Sequence, residues 1–156
     1  MNCVKLPVNT GPRRRPLGFT LIELMIVIVI VAVLMGVGLP AYQENLRKGR
    51  RSEAMAGLLD AANRQESLML DRSTYTTDMT RLGYADPVIT EDGHYSIVAT
   101  DCDGGTDVTK IKTCYRLTAT PQGLSPQIKD TKCGSFIVDS TGAKTVSGSL
   151  GADECW

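Results

Sequence analysis

The chain has 156 residues, with 17 Lys and Arg against 17 Asp and Glu, five cysteines and one histidine. This length fits one small domain. With a single histidine, His94, and with no Ser/His/Asp set, paired-carboxylate site or phosphate loop, the sequence argues against an enzyme, and we expect no cofactor and no metal.

The first 18 residues differ from the rest in charge. They contain Lys5, Arg13, Arg14 and Arg15 and no acidic residue. A basic segment before an apolar span stays on the cytoplasmic side, so the remainder should face outward. Without this segment, 13 Lys and Arg remain against 17 Asp and Glu, a formal net charge of −4. A mildly acidic outer domain has no electrostatic attraction for DNA or RNA, and we expect no nucleic-acid partner.

The next segment is apolar and long enough to cross a membrane. Residues 24–43 form a run of 20 without a charged side chain, and a helix of that length covers about 30 Å, the thickness of a hydrocarbon core. We predict a leader at residues 1–18, a transmembrane or filament-core helix at 19–43 and an exported globular domain at 44–156. Gly36, Gly38 and Pro40 are weak points of the helix, where we predict a kink or a local loss of helix.

Helix-forming residues continue beyond this span. From Phe19 to about Arg72 the chain reads as one long helix whose second half has a single apolar face. Apolar side chains recur there at steps of three and four residues, as expected for a helix packed on a domain core. The predicted stripe consists of Met55, Leu58, Leu59, Ala62, Gln65, Leu68 and Met69.

Alternating patterns follow the helix. Apolar and polar residues alternate at residues 95–99, 115–119 and 136–138, which predicts three short half-buried strands, with a possible fourth at 144–147. The fold class is therefore α+β, a long N-terminal helix packed on a small antiparallel sheet.

Four cysteines lie together in the predicted outer domain, while Cys3 lies in the leader. An exported small domain with four cysteines favours two disulfides over reduced thiols. Of the three possible connectivities, we predict Cys102 with Cys114 across the first hairpin and Cys133 with Cys155 around the last strand region. The other two would require cysteines from different strand ends to approach within about 6 Å.

Two further features resemble metal sites, but each lacks the ligands that a metal ion would need. Residues 101–107 contain three acids with glycines between them, as calcium loops do, but Lys112 occupies the position of the required glutamate. We interpret this segment as a polar hairpin loop. His94 has no Cys or Asp partner at ligand spacing and is expected at the surface.

The junction between leader and span is the most specific motif. Arg13-Arg14-Arg15-Pro16-Leu17-Gly18-Phe19-Thr20-Leu21-Ile22-Glu23 closely resembles the processing site of type IV prepilins. The resemblance implies that a membrane aspartyl peptidase cuts between Gly18 and Phe19 and N-methylates Phe19, although this leader is longer than is usual in the family. An ordinary secretory signal would instead be cut after the apolar region, and Glu23 would remain unexplained.

Glu23 is the only charged residue between Arg15 and Glu44. A carboxylate at the centre of a bilayer costs on the order of 3 kcal/mol, so it should have a partner. Cleavage creates a cationic amine at Phe19, one helical turn away. The resemblance implies that Glu23 pairs with this amine on a neighbouring subunit during assembly, and the simpler alternative is a side chain that reaches the membrane surface.

Other parts of the chain extend the resemblance. Gly36, Gly38 and Pro40 match a segment that is often locally unwound in pilin filaments. Cys133 and Cys155 resemble the ends of the pilin C-terminal disulfide loop. The ending resembles a subgroup of minor pilins at Leu117-Thr118-Ala119-Thr120-Pro121-Gln122-Gly123, Asp130, Cys133-Gly134 and Cys155-Trp156.

These features imply a structural subunit. We expect a minor pilin that is inserted in the bacterial inner membrane and then assembled into, or primes, a type IV pilus that serves adhesion or motility. Expected partners are other pilin subunits, the prepilin peptidase, the inner-membrane assembly machinery and the membrane. A major pilin and a type II secretion pseudopilin remain alternatives. A membrane-anchored binding protein that does not polymerise is a third, but it leaves Gly18, Phe19 and Glu23 without a role.

Overall fold

One long helix accounts for the N-terminal part of the described chain. The computed structural model describes residues 18–107 and 109–156, so the basic leader residues and Cys3 lie outside the described residues. Helix α1, Leu21–Arg72, contains 52 residues. It begins two residues later than predicted because Thr20 caps it. The Thr20 Oγ1 accepts a hydrogen bond from the Glu23 N–H at 3.3 Å, which satisfies one of the free amides of the first turn.

Helix α1 is continuous through Gly36, Gly38 and Pro40. The predicted local loss of helix is not seen there. Proline removes the hydrogen bond that its N–H would donate to the carbonyl four residues earlier, and its ring crowds that carbonyl, but the bonds on either side keep the helix formed. The unwinding that the resemblance implies for a filament stays a prediction. The packing of the chain divides it into two units, with the boundary between Pro40 and Ala41.

Five antiparallel strands form one sheet in chain order. They are β1 (Val88–Ile89), β2 (Tyr95–Thr100), β3 (Arg116–Pro121), β4 (Phe136–Asp139) and β5 (Lys144–Val146). Ile97 faces Ala119, and Leu117 faces Val138. The predicted α+β class and the four predicted strands are confirmed. The sequence prediction missed β1, because a strand of two residues is too short to show an alternation.

Short helical turns connect the strands. Three 3₁₀ helices lie at Met79–Leu82, Lys110–Lys112 and Pro126–Lys129, and α2 covers Ala152–Cys155. Ser125 caps the third of these, since its hydroxyl accepts a hydrogen bond from the Gln127 N–H. Gly83 ends the first with φ of 86°, a backbone conformation that residues with a side chain rarely adopt.

The core lies between the second half of α1 and the sheet. Its helical side is formed by Arg51, Ala54, Leu58, Ala61 and Gln65, and its sheet side includes Tyr95, Leu117 and Phe136, which are fully buried. Leu58 and Gln65 of the predicted stripe are buried, as predicted, but the buried face of the helix is rotated away from its other members. Leu59 is 44% exposed, and Met55, Ala62, Leu68 and Met69 pack only against the edge of the core.

Small residues explain this rotation. A Cβ atom on Gly57 would lie only 2.7 Å from the Ile97 Cδ1, so the sheet approaches the helix backbone closely at this position. Ala54 and Ala61 are both fully buried one turn to either side. The centre of the helix face is thus lined by small side chains, which a search for large apolar residues misplaces.

Two buried polar side chains of α1 fix the loops that surround the core. Gln65 donates from Nε2 to the Thr76 carbonyl at 2.5 Å and accepts from the Thr76 N–H at 3.0 Å. These two bonds hold the segment that leaves α1 against the helix. Each also satisfies a backbone group that would be costly to bury alone.

Arg51 and Asp130 form a buried, two-bond ion pair. The Arg51 Nε lies 2.7 Å from Asp130 Oδ2, and Nη2 lies 2.8 Å from Oδ1. Gln127 also donates to Asp130 Oδ2 at 2.9 Å. Burial by itself would raise the pKa of Asp130, but the hydrogen bonds and charge of Arg51 outweigh it, so that the pKa lies below the ordinary 3.8.

We expect Asp130→Asn to lower the free energy of unfolding by about 3–5 kcal/mol, because it removes the buried counter-charge of Arg51. Only the longer contact of Arg51 with the partly exposed Glu44, at 3.6 Å, then remains. Denaturation of the full-length chain in detergent, followed by Trp156 fluorescence, measures this loss. Asp103→Asn is the matched control. It breaks an exposed pair with Lys110 and should cost less than about 1 kcal/mol. Equal losses for the two variants would contradict this role of Asp130.

Because of the same ion pair, we expect the free energy of unfolding to depend on pH. Since the pKa of Asp130 is lowered in the folded state, its stabilisation is complete above the unfolded-state pKa of about 3.9 and is lost as pH falls through the lower folded value. Acid denaturation of the parent chain should therefore be steeper in this range than that of Asp130→Asn.

Candidate functional site

The candidate site comprises the residues just before and in the first turn of α1. Gly18, Phe19 and Thr20 are non-helical and exposed. A Cβ atom added to Gly18 would meet no heavy atom within 4 Å. The chain's own packing therefore does not require glycine at this position. A requirement for glycine would have to come from another molecule that binds the backbone here.

Glu23 lies in the first turn of α1, three residues after the Thr20 cap. Thr20-Leu21-Ile22-Glu23 has the spacing of a capping box, and a negative charge at a helix N-terminus interacts favourably with the helix dipole. The sequence reasoning missed this local role of Thr20, although the four-residue pattern was available to indicate it.

Phe19 and Glu23 lie on the same side of the chain. Together with Leu24 and Val27 they line one shallow groove on the helix surface. Among the described residues, the Glu23 carboxylate makes no hydrogen bond or ion pair. The site thus combines a residue that would carry a new amine after cleavage with an acid that has no partner in the described chain.

The helix beyond this site is apolar on all sides. From Leu21 to Leu39 its large apolar side chains are 41–78% exposed, and α1 is long and apolar enough to cross a membrane. An unbroken apolar surface of this size is not stable in water. It requires either lipid or other protein surfaces around it.

Two disulfides close loops in the second half of the chain. The structure joins Cys102 to Cys114 with a Cα–Cα distance of 5.8 Å, and Cys133 to Cys155 with one of 5.7 Å. The second bridge holds the C-terminal residue in place. The Trp156 ring packs edge-on against Phe136 at 5.7 Å between ring centres, and its Nε1 donates to the Thr145 carbonyl at 3.2 Å.

The acidic loop is held together by its own backbone. Asp101 is almost fully buried, and its carboxylate accepts hydrogen bonds from the N–H groups of Asp103, Gly105 and Asp107, each at 2.9 Å. These bonds, led by that from Asp107, lower the pKa of Asp101. Its oxygens are therefore engaged by amides, which agrees with the interpretation as a polar loop.

His94 lies beside Ser125, with 2.9 Å between its Nδ1 and the serine Oγ. This contact links the start of β2 to the cap of the 3₁₀ helix Pro126–Lys129. In the described part of the chain, no group of three or more His, Cys, Asp or Glu side chains is placed to hold a metal ion.

Two family models match the sequence. The model described as "Type IV minor pilin ComP, DNA uptake sequence receptor" matches residues 40–137, well over half of the chain. The model of the prokaryotic N-terminal methylation motif matches residues 13–39. The chain belongs to the type IV pilin family. The motif identified at Gly18, Phe19 and Glu23 is thus the N-terminal motif of a pilin precursor.

Individual relatives agree with this assignment. The pilin is 32% identical over 94 residues to the type IV major pilin protein PilA of Myxococcus xanthus, covering 60% of this chain and 42% of that protein. It is 38% identical over 78 residues to the type IV major pilin protein PilE1 of Neisseria gonorrhoeae, covering 50% and 47%. It is 36% identical over 70 residues to the type II secretion system core protein G of Dickeya chrysanthemi, covering 45% and 46%.

The chain spans less than half of the length of these relatives. Among solved structures, a type IV pilin from Shewanella oneidensis superposes with a TM-score of 0.46 at 20% identity, covering 70% of this chain and 97% of that one.

Pilins are structural subunits that assemble with other pilin subunits, and the methylation motif implies processing by a prepilin peptidase. The motif and the apolar helix fit a membrane-anchored precursor that becomes part of a pilus.

The disulfide pairing can be tested by peptide mapping without reduction. Trypsin separates the four cysteines into residues 82–110, 113–116, 133–144 and 145–156. We expect the first peptide linked to the second and the third linked to the fourth. A link between residues 82–110 and either C-terminal peptide would refute the pairing.

Removal of the Cys133–Cys155 bridge, which closes the longer loop, should destabilise the pilin by about 3 kcal/mol and more than removal of the other bridge.

Proposed function

We propose that this pilin is a minor pilin of a type IV pilus. It enters the bacterial inner membrane as a precursor, is cut between Gly18 and Phe19, is methylated on the new amine of Phe19, and then joins or primes a filament. The observation that carries this proposal is the methylation motif followed directly by a helix whose apolar surface is exposed on all sides. The match of residues 40–137 to a minor pilin model favours the minor over the major role.

The geometry around Gly18 supports processing at this peptide bond. The residues on both sides of the bond are exposed and precede the first helical turn. A peptidase can therefore bind this segment in an extended form without unwinding α1. Glycine offers no side chain to obstruct close contact between the enzyme and the backbone.

We expect the mature pilin to begin with N-methyl-Phe19. Mass spectrometry of the protein from sheared filaments measures the new terminus. Gly18→Ala should slow processing, because a methyl group at the scissile bond obstructs the peptidase. Gly36→Ala is the matched control, since a Cβ at Gly36 also meets no heavy atom within 4 Å but lies far from the cleavage bond. An intact leader on filament protein from a strain with active peptidase would overturn the proposal.

Charge pairing supports assembly through Glu23. The carboxylate has no partner among the described residues, and an isolated charge is costly in an apolar environment. The amine of a processed Phe19 carries the opposite charge. When the terminus of one subunit lies beside Glu23 of the next, both charges are neutralised as the helices leave the membrane. In this proposal, Glu23 obtains its partner from a neighbouring subunit of the filament and not from its own chain.

We expect Glu23→Val to insert in the membrane at least as well as the parent, because it removes the one charge of the span. Its incorporation into filaments should fall strongly. An unpaired amine in an apolar interior costs on the order of 3 kcal/mol, or about a hundredfold in the association constant. Quantitative immunoblotting of sheared and membrane fractions measures both effects. Glu91→Val, the same change in an exposed loop, serves as the control, and normal incorporation of Glu23→Val would leave the pairing without support.

The remaining alternatives differ in abundance and location. A major pilin would dominate the sheared filament protein, whereas a minor pilin would be a small fraction of it. A pseudopilin, as the similarity to core protein G allows, would be encoded beside a type II secretion system and would leave twitching motility intact when deleted. A non-polymerising anchor would stay in the membrane fraction.

The matched family model suggests a second candidate function, because its description names a DNA uptake sequence receptor. The net charge of the processed chain argues against a general attraction for DNA. Binding would depend on local cations, and exposed lysines are present at positions 110, 112, 132 and 144. One of them, Lys110, is already paired with Asp103.

A mobility-shift assay with the full-length pilin in detergent separates these two expectations. A DNA receptor should shift duplex DNA at low salt, with an affinity that falls steeply as salt rises, and it should prefer one sequence over its scrambled version. The charge argument predicts no shift. A sequence-dependent shift would replace our prediction of no nucleic-acid partner, and no shift at low salt would reject the receptor role.

A further inference from the structure

A basic and apolar surface lies near the start of the globular unit that begins at Ala41. Leu46, Arg47 and Arg50 on α1 line a shallow groove whose other side is formed by Pro126 and Lys129. The buried pair of Arg51 with Asp130 holds these two segments together. The groove and its rim are therefore a fixed feature of this unit.

Exposed aliphatic side chains continue this surface beyond the groove. Leu124 is fully exposed, Ile128 is 54% exposed and Leu46 is 41% exposed. Leu124 precedes Pro126 by two residues, which places it within about 7 Å of the groove along the chain. The exposure of these three aliphatic side chains is not explained by the packing of this unit.

Cations accompany these side chains. Arg47 pairs with Glu44 at 3.4 Å, but within the described part of the chain Arg50 and Lys129 make no ion pair. The surface therefore combines two free cations with three exposed aliphatic side chains. We call the set Leu46, Arg47, Arg50, Leu124, Ile128 and Lys129 the basic collar.

The α1 residues of the collar follow the segment where the chain should leave the membrane. The uncharged run ends at Gln43, and Leu46 and Arg50 follow it by about 5 and 11 Å along the helix. The polar layer on each side of a hydrocarbon core is about 5–8 Å thick. The long side chains of arginine and lysine can extend across part of this layer and reach the lipid phosphates.

We propose that the basic collar docks the globular unit on the anionic lipid surface while the pilin is still a membrane-anchored subunit. Arg50 and Lys129 contact lipid phosphates, and Leu124 and Ile128 enter the interface between headgroups and acyl chains. This inference rests on the membrane anchoring in the proposed function. The docked state holds the unit at a defined depth before it joins a filament.

The composition of the collar favours a lipid surface over another protein or DNA. Interfacial segments combine lysine or arginine with aliphatic side chains that enter the acyl boundary. A lysine or arginine near an anionic lipid surface gains about 1 kcal/mol. A nucleic-acid site would not need a fully exposed leucine. The α1 residues of the collar, Leu46, Arg47 and Arg50, also follow the uncharged run directly in the chain.

Quenching by brominated lipids tests this proposal on the full-length chain. Trp156→Phe removes the natural tryptophan, and Leu124→Trp or Leu70→Trp then places a single reporter. Leu70 is the matched control because it is also exposed, at 87%, and lies about 30 Å from Arg50 along the same helix. Each variant is reconstituted in vesicles of phosphatidylcholine with or without phosphatidylglycerol, and flotation confirms insertion.

We expect the reporter at position 124 to be quenched and blue-shifted in vesicles with phosphatidylglycerol, and the reporter at position 70 to be unaffected. Adding Arg50→Gln and Lys129→Gln should reduce the docked-to-undocked ratio roughly 30-fold. If quenching persists in this double variant, the introduced tryptophan enters the membrane without help from the two cations.

Equal quenching at positions 124 and 70 in chains that float, or quenching that is unchanged by the double substitution, would overturn the proposal. A blue shift in neutral detergent that disappears on dilution would assign the collar to a second copy and would likewise overturn it. Failure of the chains to float would instead refute the membrane anchoring on which the inference rests.

Discussion

The fold of the globular unit depends on the buried pair between Arg51 and Asp130. The two residues are 79 positions apart, so the pair forms only when the helix and the C-terminal loops are both in place. Its two hydrogen bonds offset the large cost of removing both charges from water. Asp130 also accepts from Gln127 and lies three residues before Cys133, which is bonded to Cys155. One ion pair thus connects the helix to the cap of a 3₁₀ helix, to a disulfide and through it to the C-terminus.

Local patterns predicted the parts of this fold that local physics determines. The long helix, the strands at Tyr95 and Leu117 and the class of the fold follow from periodicity, and residues 95–100 and 116–121 do form neighbouring strands. The sequence could not indicate the partner of Asp130, because an ion pair between distant residues leaves no local signal. It also misplaced the buried face of α1, because Ala54 and Gly57 permit close packing without being large or apolar enough to mark it. Within the candidate site, the motif residues were evident, but the cap at Thr20 was overlooked.

Charge is handled differently in the two parts of the chain. In the globular unit, Asp130 and Asp101 each have partners within the same chain. In the apolar part, Glu23 has none among the described residues, although burial of its charge would be equally costly. A charge that is satisfied internally stabilises a monomer, whereas one that lacks an internal partner favours a state in which another molecule supplies it. Under the proposed pairing, the location of the unpaired acid, one turn from the bond that processing would cut, would make assembly depend on processing.

The apolar surface of α1 limits which interactions can favour the filament over the membrane. Side chains that are exposed on every side of the helix must be surrounded by lipid or by protein at all times. Transfer from membrane to filament then exchanges one apolar environment for another, so the hydrophobic effect contributes little to its direction. Polar interactions must provide the preference, and the proposed pairing of Glu23 with a neighbouring amine would act in favour of the filament. Contacts between Arg50, Lys129 and lipid phosphates would act in favour of the membrane. In this proposal, the balance between these two groups of charges, rather than the burial of the helix, would set which state the subunit occupies.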